Sequence, residues 1–97
     1  MSKRWAFDYH LVFKVDYDFG FFFPCDVDGK INKSQLSPEA LENLELAIRY
    51  KALGCEVHIQ RTSYLNDELV GERPWKTVQS KKPGYKYVSM QEVGGAA

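Results

Sequence analysis

The chain has 97 residues, enough for one domain with a thin core. It is 44% hydrophobic and 27% charged, which excludes wholesale disorder. Its 13 basic and 13 acidic residues cancel, which removes any global pull toward nucleic acid or an anionic membrane. Two cysteines, Cys25 and Cys55, are too few for a disulfide scaffold. No apolar run approaches the ~20 residues of a membrane span, and Met1 to Asp8 hold no apolar leader core. The expectation is a cytoplasmic protein with reduced thiols and no membrane partner.

From Trp5 to Val27 nearly every odd position is apolar, and most even positions are small, polar or charged. Period two means strand, and the length means two strands. Equal parity across the turn keeps the apolar residues on one face. A three-residue loop, Asp18-Phe19-Gly20, satisfies that rule, with Gly20 in the left-handed conformation and Tyr17 opposite Phe21. In this register Val15 meets Phe23, Phe13 meets Cys25 and His10 meets Asp28. Pro24 lacks a donor, which puts the second strand at a sheet edge.

Asp28-Gly29 reads as a second turn. Ser37, Pro38 and Glu39 then form a helix start, and Gly54 a helix stop, so a helix is expected over about 38–53. Ala40, Leu41, Leu44, Ala47, Ile48 and Ala52 share its core stripe. Cys55 to Tyr64 reads as a strand, Asn66 to Pro74 as a polar loop. Trp75–Ser80 and Tyr85–Met90 read as a hairpin around Pro83-Gly84. The expected fold is α+β, a single antiparallel sheet in ββαβββ order with one helix on its apolar face. The first strand is expected beside the strand that follows the helix. One domain is expected over 1–92, with a flexible tail over 93–97.

Chemistry is hard to assemble from these residues. Asp26-Val27-Asp28-Gly29-Lys30-Ile31 has the middle of a calcium-loop pattern, but in that register Pro24 and Gln35 fall on the first and last ligand positions. The cysteines and histidines lack zinc-site spacing, the serines lack a nucleophile elbow, and the glycines are too scattered for a phosphate loop. No cofactor, metal or enzymatic activity is expected.

Surfaces for binding are easier to find. Phe22 breaks the hairpin pattern outward and Phe19 sits at the loop tip, beside Asp16 and Asp18, and Leu46, Tyr50 and Leu53 form a second apolar stripe on the helix. Either the rest of the chain or a partner must cover that stripe. These seven residues suit a protein-binding module that docks on another protein and self-associates, of the accessory or inhibitor kind carried by phages and mobile elements. The alternative is a nucleic-acid-binding module. Arg73, Trp75, Lys76, Lys81, Lys82, Tyr85, Lys86 and Tyr87 interleave cations with rings, and no acidic residue occurs over 73–91.

Overall fold

β1 (Trp5–Lys14) and β2 (Gly20–Cys25) form the aromatic hairpin in a structure, a computed structural model, that describes residues 2–86. Tyr9 lies opposite Cys25, Leu11 opposite Phe23 and Phe13 opposite Phe21. Odd residues pair with odd ones, so the apolar face is the expected one. The register is different, because the loop is Val15 to Phe19 and not Asp18-Phe19-Gly20. Val15 is fully buried, and its carbonyl accepts a 2.7 Å hydrogen bond from the Tyr85 hydroxyl, so the chain leaves the ladder before it. Gly20 sits in the strand and is not left-handed. It is required for closeness instead, since a Cβ there would stand 2.3 Å from the Phe13 carbonyl oxygen.

β2 stops at Cys25 because the next residues turn on themselves. The Asp26 carboxylate accepts from the amides of Asp28 (2.9 Å) and Lys30 (2.8 Å), and Gly29 takes φ +87°. No hairpin strand follows, and His10 therefore faces Pro24 rather than Asp28. A short 3-10 turn, Lys33–Gln35, leads to α1 (Pro38–Leu53).

The helix has the expected ends. Ser37 Oγ accepts from the Ala40 amide at 3.1 Å, and Gly54 closes the helix at φ +109°. Its rotation is not the expected one. Leu44, Ala47 and Tyr50 are buried, while Leu41 and Ile48 are exposed. The helix is turned by less than a quarter turn, which exchanges an isoleucine for a tyrosine in the core. The reason lies in the hairpin, whose Phe21 ring packs 6.3 Å from that of Tyr50 and sits between those of Phe19 and Phe23. A ring of that area gains more from burial than a branched aliphatic chain.

β3 (Glu56–Leu65) falls where expected. The segment after it does not. Asn66 and Asp67 both take positive φ (51° and 67°), a two-residue hairpin turn, and β4 runs from Glu68 to Gln79. The expected loop over Asn66 to Pro74 is therefore strand, and Trp75–Gln79 pairs with β3 rather than with a later strand. Tyr85 and Lys86 are not strand; the expected Tyr87–Met90 strand and the 93–97 tail lie outside the described residues.

The sheet order is β2-β1-β3-β4, antiparallel throughout, which places β1 beside β3 and the Pro24 strand at an edge as expected. The core gathers Leu11, Phe13, Val15, Phe23, Leu44, Ala47, Tyr50, Cys55, Val57, Ile59 and Tyr85. All of it lies at one end of the sheet, under the helix and the turn at Gly29, which stands against the Ile59 and Leu11 side chains. The Gln79 amide nitrogen closes that end by donating to the Lys51 and Cys55 carbonyls at 2.9 and 2.7 Å, and the Lys82 amide donates to Gly54 O at 2.9 Å. The other end, Trp5 to Tyr9 with Arg61 to Trp75, projects without a helix over it. The extents of 56 × 30 × 23 Å and a radius of gyration of 15.3 Å, against about 12 Å for a compact chain of this size, reflect that projection.

Two substitutions test the register and the rotation. Gly20→Ala is expected to cost about 1–3 kcal/mol in urea unfolding, because the backbone of β1 blocks the new methyl group. Tyr50→Ala is expected to cost about 3 kcal/mol, whereas Ile48→Asp should change stability by less than about 0.5 kcal/mol.

Candidate functional site

The two faces of the uncovered end differ in kind. Along β1 the odd residues Trp5, Phe7 and Tyr9 continue the core face outward, beyond the reach of α1. They are 53% exposed at Trp5 and 42% at Phe7, with Trp75 of β4 at 41%. The Trp5 and Phe7 rings lie parallel, with centroids 6.3 Å apart, and Tyr9 meets Trp75 edge-on at 6.1 Å.

Arg61 of β3 holds this face together. Its guanidinium carbon is 4.7 Å from the centre of the Phe7 ring and 4.3 Å from that of Trp75. Its Nε is enclosed and has no hydrogen-bond acceptor among the described residues. The charge is thus stabilised by ring faces and not by a carboxylate, an arrangement open to arginine because its planar cation stacks. Arg73 lies directly across from Arg61 on β4. Glu72, the residue before Arg73, accepts from Gln60 Nε2 at 3.2 Å.

Three irregularities in β4 shape the margin of this face. The register against β3 shifts at Val70, Trp75 and Val78, each an extra residue with no partner opposite. A bulge re-aims the side chain it carries. All three of these residues are large, apolar and exposed. Between β1 and β4, a groove of about 640 Å³ is lined by Trp5, Phe7, Arg61, Val70 and Arg73, among others. Gly71 forms part of its wall, and a Cβ there would meet nothing within 4 Å.

The outer face is acidic by contrast. Asp8, Glu56 and Glu72 stand on it with His10, His58 and Tyr64. Burial pushes the Tyr64 hydroxyl up, and Asp8 and then Glu72 push it further. His58 Nδ1 lies 3.2 Å from Glu56 Oε2. The cysteines offer no nucleophile at neutral pH. Burial, with Asp26 adding to it, pushes the Cys25 thiol up to about 11, and burial raises that of Cys55 as well.

The seven residues expected to bind protein do not converge. Tyr50 and Asp16 are buried, the latter with its carboxylate on the Tyr17 amide at 2.8 Å. Phe19 and Leu46 are partly buried against the core. Phe22 is exposed, with His10 edge-on to its ring at 5.9 Å, and borders one shallow depression with Asp18. Leu53 is exposed at the far end of the helix.

The expected basic hairpin is also taken apart. Tyr85 is core, and the Lys82 side chain lies along Gly54, where a Cβ would be 2.8 Å from Lys82 Cβ. Lys81 and Lys86 are exposed near that closed end. Arg73, Trp75 and Lys76 are on β4, and Tyr87 is outside the described residues. Trp5, Phe7, Arg61, Val70 and Gly71 were not anticipated as site residues. Among the described residues no three His, Cys, Asp or Glu side chains group as metal ligands, and no helix is long and apolar enough to cross a membrane. Comparison with protein families, with curated proteins and with solved structures gives no match for the chain.

Arg61→Lys keeps the charge and loses the stacked plane. It is expected to cost about 1 kcal/mol and to shift the tryptophan emission, because Trp75 loses its neighbour. At Cys25 the thiolate is scarce at pH 8. Iodoacetamide should therefore alkylate it more slowly than a free thiol by about two orders of magnitude, with the rate climbing toward pH 11.

Proposed function

We propose that the chain is a small non-catalytic module that binds another protein, and that it docks through the uncovered end of its sheet. The observation that carries this reading is the exposed cluster of Trp5, Phe7 and Trp75 around the Arg61 cation. Tryptophan and arginine are enriched among the few residues that carry most of the binding energy of protein interfaces. Here they are held in place before any partner arrives, so little ordering entropy is lost on binding. The charge argues for a partner other than a second copy. Two such faces brought together would set Arg61 and Arg73 against their own equivalents, and like charges across an interface are costly.

One observation favours the nucleic-acid alternative. Arg61, Arg73 and Lys76 surround exposed rings on a face where Glu68, opposite Leu65, is the acidic residue at its margin, and cations interleaved with rings are the combination that holds single strands. The two readings separate in one comparison. Wild-type protein and the variant Gly71→Leu, which fills the groove wall without strain, are used to capture proteins from a host lysate. Oligonucleotide binding is measured on both at low and high salt. The protein reading expects a specific set of captured proteins lost with Gly71→Leu at unchanged stability, and no shift of the oligonucleotide. Capture that ignores Gly71→Leu would overturn it. Salt-sensitive oligonucleotide binding, abolished by the pair Arg73→Glu/Lys76→Glu, would establish the alternative.

A further inference from the structure

The uncovered end has an open backbone as well as an open face. β3 pairs with all of β1, from Trp5 opposite Leu65 to Lys14 opposite Glu56. β2 pairs only from Tyr9 onward, because the Asp26 turn ends it at Cys25. The side of β1 away from β3 therefore has no partner strand over Trp5 to Asp8 among the described residues.

Which groups face that side follows from one hydrogen bond. The Asn66 amide donates to Arg4 O at 2.8 Å, so the main chain of Arg4 faces β3. Orientation alternates along an antiparallel strand. Ala6 and Asp8 thus face β3 too, and the N–H and C=O groups of Trp5 and Phe7 point to the open edge. The same two residues supply the exposed rings of the docking face.

We infer that this edge accepts an extended segment of a protein partner as a fifth strand, paired to the main chain of Trp5 and Phe7, with an apolar side chain set on their rings. The inference rests on the docking reading above and gives the partner's chemistry: polypeptide, extended, apolar at alternate positions. Strand addition draws affinity from main-chain hydrogen bonds and specificity from alternate side chains. A DNA sugar-phosphate backbone carries no N–H donors, so it does not reproduce that main-chain ladder. The other long edge, on β4, is a poorer template because its three register shifts interrupt the ladder.

Amide exchange by NMR on the full chain tests this. In the free protein, Trp5 and Phe7 should exchange fast while Ala6 and Asp8 are protected. Equal protection at all four would mean the edge is already paired and would overturn the inference. The probe is a short synthetic peptide that alternates valine and threonine around one tryptophan. Saturation with it should slow exchange at Trp5 and Phe7 by about tenfold or more. N-methylation of the peptide at one set of alternate residues should abolish the effect, and methylation of the other set should not. If the peptide does not bind, if both methylated peptides act alike, or if oligothymidylate alone protects these amides, the inference fails. Shifts at Arg61 and Trp75 without protection at Trp5 and Phe7 would sink the edge and leave the docking face standing. Protection of the edge that is unaffected by Gly71→Leu, with Arg61 and Trp75 silent, would do the reverse.

Discussion

A sixteen-residue helix is about 24 Å long and about 10 Å across. Three of the strands have ten or twelve residues, which at about 3.3 Å each is over 30 Å, and with the six-residue β2 the sheet spans more than one helix width. One helix cannot cover such a sheet. The chain resolves the mismatch by concentrating its packing at one end, where Tyr50 and Tyr85 join the hairpin aromatics, and leaving the other end without a lid. The groove, the open edge of β1 and the elongated shape all follow from that inequality.

How the uncovered end stays ordered is a separate matter of physical chemistry. A bare sheet with exposed tryptophans is exposed to collapse or association unless its rings are fixed. Arg61 fixes them by filling the space between Phe7 and Trp75 with a cation that both rings attract. The Arg4–Asp67 pair at 3.1 Å ties the start of β1 to the far turn, but both side chains are well exposed and the pair adds little. The stacked arginine thus combines two duties: it builds a small core outside the main one, and it gives the face a sign of charge.

Much of the fold is legible in the residue order. Parity alone separates the two faces of β1 and β2, and Ser37, Pro38 and Gly54 bound the helix to the residue. What parity leaves open is register, since sliding one strand past the other by an even number of residues keeps every face. Val15 decides it through contacts with Tyr85, seventy positions away, and no local signal carries that. The helix rotation is open for a similar reason, because Ile48 and Tyr50 flank the same stripe and only the Phe21 ring chooses between them. β4 was hidden by Pro74 and by three bulges that spoil its alternation, and Asn66-Asp67 is a turn signal that a polar neighbourhood obscures. For the site, the in-face run Trp5 to Val15 is longer than any sixteen-residue helix can shelter. That arithmetic was available from the sequence, whereas the placement of Arg61 between two rings was not.

The bond from Tyr85 to Val15 has a consequence for how the protein is made. It joins the first loop to a residue near the end of the described chain. The hairpin, the helix and β3 supply most of the buried side chains, but the pocket around Val15 stays unsealed until the segment after β4 has crossed the helix end. Assembly is therefore ordered in time: the hairpin and helix find each other early, through short chain separations, and the closing segment arrives last against a large loop-closure entropy. During synthesis the nascent chain carries its aromatic hairpin for most of its length before Tyr85 can lock it.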